Sequence, residues 1–166
     1  WGVDWFMVEG INGMITRPGT RTISDFAKWK EELAWPDLSV VDFKADGEKL
    51  QKALDPDRPH IYECVEGVFE RLHELIPFDE SLVAFYEEPE AMHELIDYIT
   101  DWEIQYAEQI CKYMKPDGLF HHDDWGSRSS SFISPQMFKE FYEPAYKKVY
   151  GYYKEHGVEV VIHHSD

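Results

Sequence analysis

The chain has 166 residues, 43% of them hydrophobic and 16% aromatic, enough apolar material for a domain with its own core rather than a disordered segment. Lys and Arg total 16 against 33 Asp and Glu, and the resulting net charge of −17 repels nucleic-acid phosphates and anionic lipid, which argues against a nucleic-acid or membrane-surface role. The two cysteines, Cys64 and Cys111, form neither a CxxC pair nor a disulfide framework, which fits a reducing cytoplasm, and no apolar run approaches the length of a membrane span.

Residues 1–59 read as irregular, rich in Gly, Pro and Thr at Gly10-Ile11-Asn12-Gly13 and Arg17-Pro18-Gly19-Thr20, with turns at Trp35-Pro36-Asp37 and Asp55-Pro56-Asp57. Short helices are expected over 25–33, after Ser24 as N-cap, and over 47–54. From residue 60 the pattern is regular. His60 to Val65 is a short strand of β-formers. Gly67 opens a helix that carries Val68, Phe69, Leu72, Leu75 and Ile76 on one side and stops at Pro77. Pro89, at a first-turn position, opens a long helix to about Met114, with Met92, Leu95, Ile96, Ile99, Trp102, Tyr106, Ile110 and Met114 as its apolar stripe. Pro116-Asp117-Gly118 turns into a strand at 119–122, and a polar loop runs from Asp123 to Ser131. Ser134-Pro135 is an N-cap followed by Pro at N1. That helix runs to about His156, with Met137, Phe138, Phe141, Ala145, Val149 and Tyr152 inward. Pro144 inside it predicts a kink. Gly157 suits a left-handed cap, and 158–163 is the third strand.

Strand, helix, strand, helix, strand is the rhythm of a parallel α/β sheet. No Gly-rich phosphate loop follows a strand, which argues against a dinucleotide fold and leaves a barrel. In a barrel, chemistry gathers at the C-terminal ends of strands. The abrupt start and the final strand without a following helix suggest a single partial barrel domain over residues 1–166, an excerpt of a longer chain, with 1–59 irregular and 60–166 as βαβαβ. Such a piece would leave open sheet edges and apolar surface, hence a tendency to oligomerise.

Two strand ends carry paired His and Asp. In His121-His122-Asp123-Asp124-Trp125-Gly126-Ser127-Arg128, adjacent carboxylates repel, so one can hold a proton while the other acts as base. A cap-and-turn loop would use the same residue types. At the second end, His163 and His164 point to opposite faces if the strand extends that far. His163, followed by Ser165-Asp166, suits a metal or acid–base role, against the plainer reading of a hydrogen-bonded structural histidine. Cys64 lies between Glu63 and Glu66 and reads as packing, as does Cys111 inside the long helix. The aromatic run Phe138-Phe141-Tyr142-Tyr146-Tyr150-Tyr153 has core spacing.

Taken together, Asp123-Asp124-Trp125-Gly126-Ser127, Phe132-Ile133-Ser134-Pro135-Gln136-Met137-Phe138, Phe141-Tyr142-Glu143-Pro144-Ala145-Tyr146 and His156-Gly157-Val158-Glu159-Val160, with His163, resemble the uroporphyrinogen decarboxylase family. The Gly67-Val68-Phe69-Glu70 helix start and the Trp1-Gly2-Val3 opening are also similar to it. The resemblance implies a (β/α)8 TIM-type barrel of roughly twice this length and two chemistries. One is decarboxylation of a polycarboxylate porphyrinogen in tetrapyrrole synthesis. The other is methyl transfer involving corrinoids or methyl donors, with zinc held by a His-x-Cys. The Arg-rich N-terminal segment of the decarboxylases has no counterpart here. His163 matches the zinc-ligand His, but Ser165 stands where the Cys would be, which leaves Asp166 as a candidate partner. The resemblance thus implies a methyltransferase-like enzyme. Asp123, Asp124 and His163 would be catalytic. His122, Trp125, Ser127 and Arg128 would contact a small-molecule substrate, His163 would hold any zinc, and a corrinoid or corrinoid protein would be substrate or partner. Porphyrinogen decarboxylation and a non-catalytic corrinoid-binding barrel are the alternatives.

Overall fold

A computed structural model describes residues 1–10 and 13–165; Ile11 and Asn12, in the stretch expected to be irregular, and Asp166, an expected metal partner, lie outside the described residues. The chain opens with an antiparallel hairpin, β1 (Trp5–Met7) and β2 (Met14–Thr16), in a stretch expected to be irregular. The helix expected over 25–33 is a 3-10 turn, Phe26–Lys28, followed by α1 (Trp29–Glu32). Its cap is Asp25, whose carboxylate accepts from Ala27 N–H at 2.9 Å. Ser24 instead donates through its N–H and hydroxyl to Glu32. Helix α2 (Phe43–Ala53) starts four residues before Gly47 because the Asp42 carboxylate caps it, accepting from Ala45 N–H at 3.0 Å. Gly47 serves close packing, since a Cβ there would strike the Tyr113 carbonyl.

β3 (Ile61–Val65), β4 (Gly118–His122) and β7 (Val160–His164) form a parallel sheet in the order β3-β4-β7. The register places Cys64, His121 and His163 in one row and Val65, His122 and His164 in the next. Between β3 and β4 lie α3 (Val68–Leu75), α4 (Phe78–Glu87) and α5 (Pro89–Gln109). α4 was not expected between the two prolines. α5 ends in a π turn, Ile110–Met114, closed by Lys115 in the left-handed region at φ 50°. After β4 come a two-residue hairpin, β5 (Gly126–Ser127) and β6 (Ser130–Ser131), then α6 (Pro135–Met137), a π turn at Phe138–Tyr142 and α7 (Glu143–Glu155). The π turn answers the Pro144 expectation. It breaks the regular ladder just ahead of the proline, which then occupies the first turn of α7, where no N–H is needed. Gly157 takes φ 99° as the cap residue after α7.

The helices cover one face of the sheet. Leu119, Ile110, Val149 and Tyr153 are buried against it, and Met92, Leu95, Ile96 and Ile99 of α5 pack with Val68, Phe69, Leu72 and Leu75 of α3. Tyr153, not Tyr152, fills the core; Tyr152 is half-buried, with its ring stacked on His156 at 4.0 Å. The other sheet face is open, with Ile61, Val65, Val160 and Ile162 exposed. Among the described residues no helix is long and apolar enough to cross a membrane.

Candidate functional site

The strand period of two sorts the histidines into two sets. His121 and His163 point toward the helices, and His122 and His164 point to the open face, their rings stacked at 4.7 Å with an interplanar angle of 12°. Asp124, just past β4, brings its carboxylate to 3.5 Å from His164 Nδ1. Among the described residues, His122, Asp124 and His164 are the one group able to offer three ligand atoms to a metal ion, all within 4.8 Å of one another. His122 Nδ1 lies 3.1 Å from Glu70 Oε2, on the first turn of α3. Burial opposes a charge on His122, but Glu70, Asp124 and Asp123 outweigh it and raise its pKa. A carboxylate on Nδ1 also fixes the ring and leaves Nε2 as the outward donor atom.

Asp123 has a different setting. It is fully buried, and its carboxylate accepts from Phe69 N–H at 3.1 Å, Glu70 N–H at 2.8 Å and Trp125 Nε1–H at 3.4 Å, and from the Tyr146 hydroxyl. Gly67 precedes α3 and has no side chain to cap it, so Asp123 of the β4 loop caps α3 from a distance. A Cβ on Gly67 would overlap both Asp123 and His121. Burial raises the Asp123 pKa from 3.8 to about 6, against the lowering influence of His121 and Tyr146. The same bond that caps α3 holds Glu70 at the N-terminal turn, where its side chain meets His122.

Behind the sheet lies a polar cluster. Tyr150 Oη stands 2.8 Å from His163 Nδ1 and 3.2 Å from His121 Nδ1. His121 Nε2 is 3.5 Å from Glu103 Oε2, an ionic contact between two buried side chains. Burial opposes the His121 charge, but Cys64 and Glu103 outweigh it and raise its pKa. Burial, with His121 nearby, lowers the His163 pKa to about 4. Trp125 lies over His163, ring centroids 3.7 Å apart, and donates to Tyr146 Oη at 2.7 Å. The expected site residues therefore fall on two sides: His122 and Asp124 on the open face, Asp123, Trp125 and His163 toward the helices. Ser127 is half-buried in β5, and Arg128 is exposed at the tip of the β5–β6 hairpin.

Glu70, Glu103, Tyr146 and Tyr150 were not singled out by sequence. The i, i+4 spacing of Tyr146 and Tyr150 was visible, but only as core periodicity. Glu70 is marked by its place three residues after Gly67, in the first turn of a helix that follows a strand.

A three-stranded parallel sheet, helices packed on one face and imidazole–carboxylate clusters at the C-terminal strand ends define an α/β protein with its reactive groups where such sheets present them. The chain matches the uroporphyrinogen decarboxylase (URO-D) family over residues 2–166, and it belongs to that family. No individual curated protein matches it.

Proposed function

We propose that this chain is the part of a (β/α)8 barrel enzyme of the methyltransferase-like kind that carries a metal site, and that His122, Asp124 and His164 are the metal ligands. The convergence of these three side chains carries the reading. The donor set, two imidazoles and a carboxylate with positions left open, suits zinc in a catalytic arrangement. His164 Nδ1 makes no hydrogen bond and lies 3.5 Å from Asp124 Oδ1, so that one ion would meet both atoms. A zinc ion there would supply Lewis acidity, lowering the pKa of a bound thiol or water. The chain's own contribution is orientation: Glu70 holds the His122 ring by Nδ1, and Asp123 holds Glu70 through the α3 cap. On this reading the metal role belongs to His164 rather than His163, which faces the helices while His122, Asp124 and His164 converge on the open face. The open sheet face becomes the barrel interior, and a small methylated molecule or a corrinoid, free or on a cytoplasmic partner protein, is the substrate.

Porphyrinogen decarboxylation is disfavoured by charge, since Glu70 and Asp124 at this site face a substrate that would carry many carboxylates. The test is metal content of protein purified without chelator. About one zinc per chain is expected, lost in His164→Ala and retained in His163→Ala. No metal in the wild type, or loss in His163→Ala alone, overturns the assignment.

A further inference from the structure

A second feature shares Glu70 with the metal cluster. Between the β1–β2 hairpin and α3 lies a cavity of about 370 Å³. Trp5, Met14 and Phe78 form its apolar walls, and Glu70, His73 and Glu74 its polar side. Among the described residues no Lys or Arg lines it. The Phe78 ring meets the His73 ring edge-on at 5.2 Å and the Phe132 ring edge-on at 4.9 Å. Arg71, bonded to the lining residue Glu74, is not itself among the residues that line the cavity. It is held by Glu66 and by Glu74 Oε2 at 3.2 Å, with its guanidinium 5.6 Å over the Trp1 ring.

We propose that this cavity binds a small quaternary ammonium ion, a methylated cation that sits against Trp5 and Phe78 with its charge facing Glu70 and Glu74. The proposal rests on the methyl-transfer reading for its purpose, as the site of the methyl donor, but on the cavity's own chemistry for the ligand class. The lining also carries the hydroxyls of Thr16 and Thr20 as oxygen acceptors, so the preference for a methyl-covered cation over a bare metal ion or a primary ammonium rests on the apolar walls. A methyl-covered cation needs aromatic faces, a polarisable thioether and a nearby negative charge, and these are what the walls supply. Glu74 strengthens the case. Its side chain is 4% exposed, and Glu66 and Glu70 stand near it with one arginine between three carboxylates. Burial, then Glu66, raises its pKa from 4.5 to about 8. A cation in the cavity offsets that penalty and makes the buried carboxylate a binding group. His73, whose pKa burial lowers to about 4, adds a ring and no competing charge.

The test is calorimetric titration of the full chain, as purified and after chelation, with choline and with its neutral isostere 3,3-dimethylbutan-1-ol. Choline should bind in both preparations, at least about tenfold more tightly than the isostere. Glu74→Gln and Trp5→Ala should each weaken choline about tenfold while circular dichroism stays unchanged, with binding measured well below each variant's melting temperature. Trp5→Ala, on the hairpin, keeps the question open if Glu74→Gln fails to fold. Absence of choline binding, equal binding of the isostere, or equally tight binding of potassium would overturn the proposal. Choline binding by a protein that never holds zinc would instead sink the metal assignment and leave this one standing.

Discussion

Replacing Asp123 by alanine tests whether that buried carboxylate is a structural keystone. Three donors lose their acceptor: Phe69 N–H, Glu70 N–H and the Tyr146 hydroxyl, while Trp125 Nε1 keeps Tyr146. A buried donor left unsatisfied costs roughly 1–3 kcal/mol, so three cost about 6 kcal/mol. Against this stands relief of the penalty on a buried charge. A pKa raised from 3.8 to about 6 corresponds to about 3 kcal/mol at pH 7. The net loss is therefore about 3 kcal/mol. The sign with pH is definite. A carboxylate with a raised folded pKa carries no penalty below its unfolded value near 4; the penalty grows as pH rises toward 6 and is constant above it. Urea denaturation of chelated protein at pH 4.5, 5.5 and 7 reads both quantities. Asp123→Ala should be less stable by about 3 kcal/mol at pH 7, and should lack the wild type's downward slope in this group's window. A variant within about 0.5 kcal/mol of wild type at pH 7, with an unchanged slope, would refute the account of Asp123 as the cap of α3.

Gly67→Ala drives a methyl group into Asp123 and His121 and should cost about 3 kcal/mol or more in denaturant titration, since neither neighbour is the free end of a flexible side chain. Glu103→Ala leaves the buried His121 without its carboxylate and should cost about 3–5 kcal/mol at pH 7; a loss under about 1 kcal/mol would mean the pair is not charged. His73, with its folded pKa lowered to about 4 by burial, binds fewer protons folded than unfolded. Its contribution is full above the ordinary histidine value and is lost as pH falls from about 6.5 toward 4. His73→Phe should flatten that part of the stability profile, and an unchanged profile would show that the ring is not desolvated.

How much of this was legible in the sequence depends on the range of the interaction that decides each feature. The strand–helix rhythm from residue 60 onward, the α3 and α5 apolar stripes, the Pro89 and Ser134-Pro135 starts and the Gly157 cap are set by residues within a turn or two of each other, so the sequence alone determined them; the parallel pairing follows from that rhythm because crossover helices join the strands. The hairpin at the start, α4 and the π turn that ends α5 were not legible, whereas the break ahead of Pro144 was, as an expected kink that took the form of a π turn. The doubled histidines show the limit most clearly. Period two ensures that His121 and His122 face opposite ways, as do His163 and His164, but does not say which of each pair meets the helices; the register of β4 with β7 and the placement of Tyr150 and Glu103 decide that. Asp123 could be read as acid, base or turn residue. Only the tertiary structure made it the cap of a helix whose first turn lies more than 50 positions earlier, because a glycine start leaves N–H groups that must find an acceptor wherever the fold supplies one.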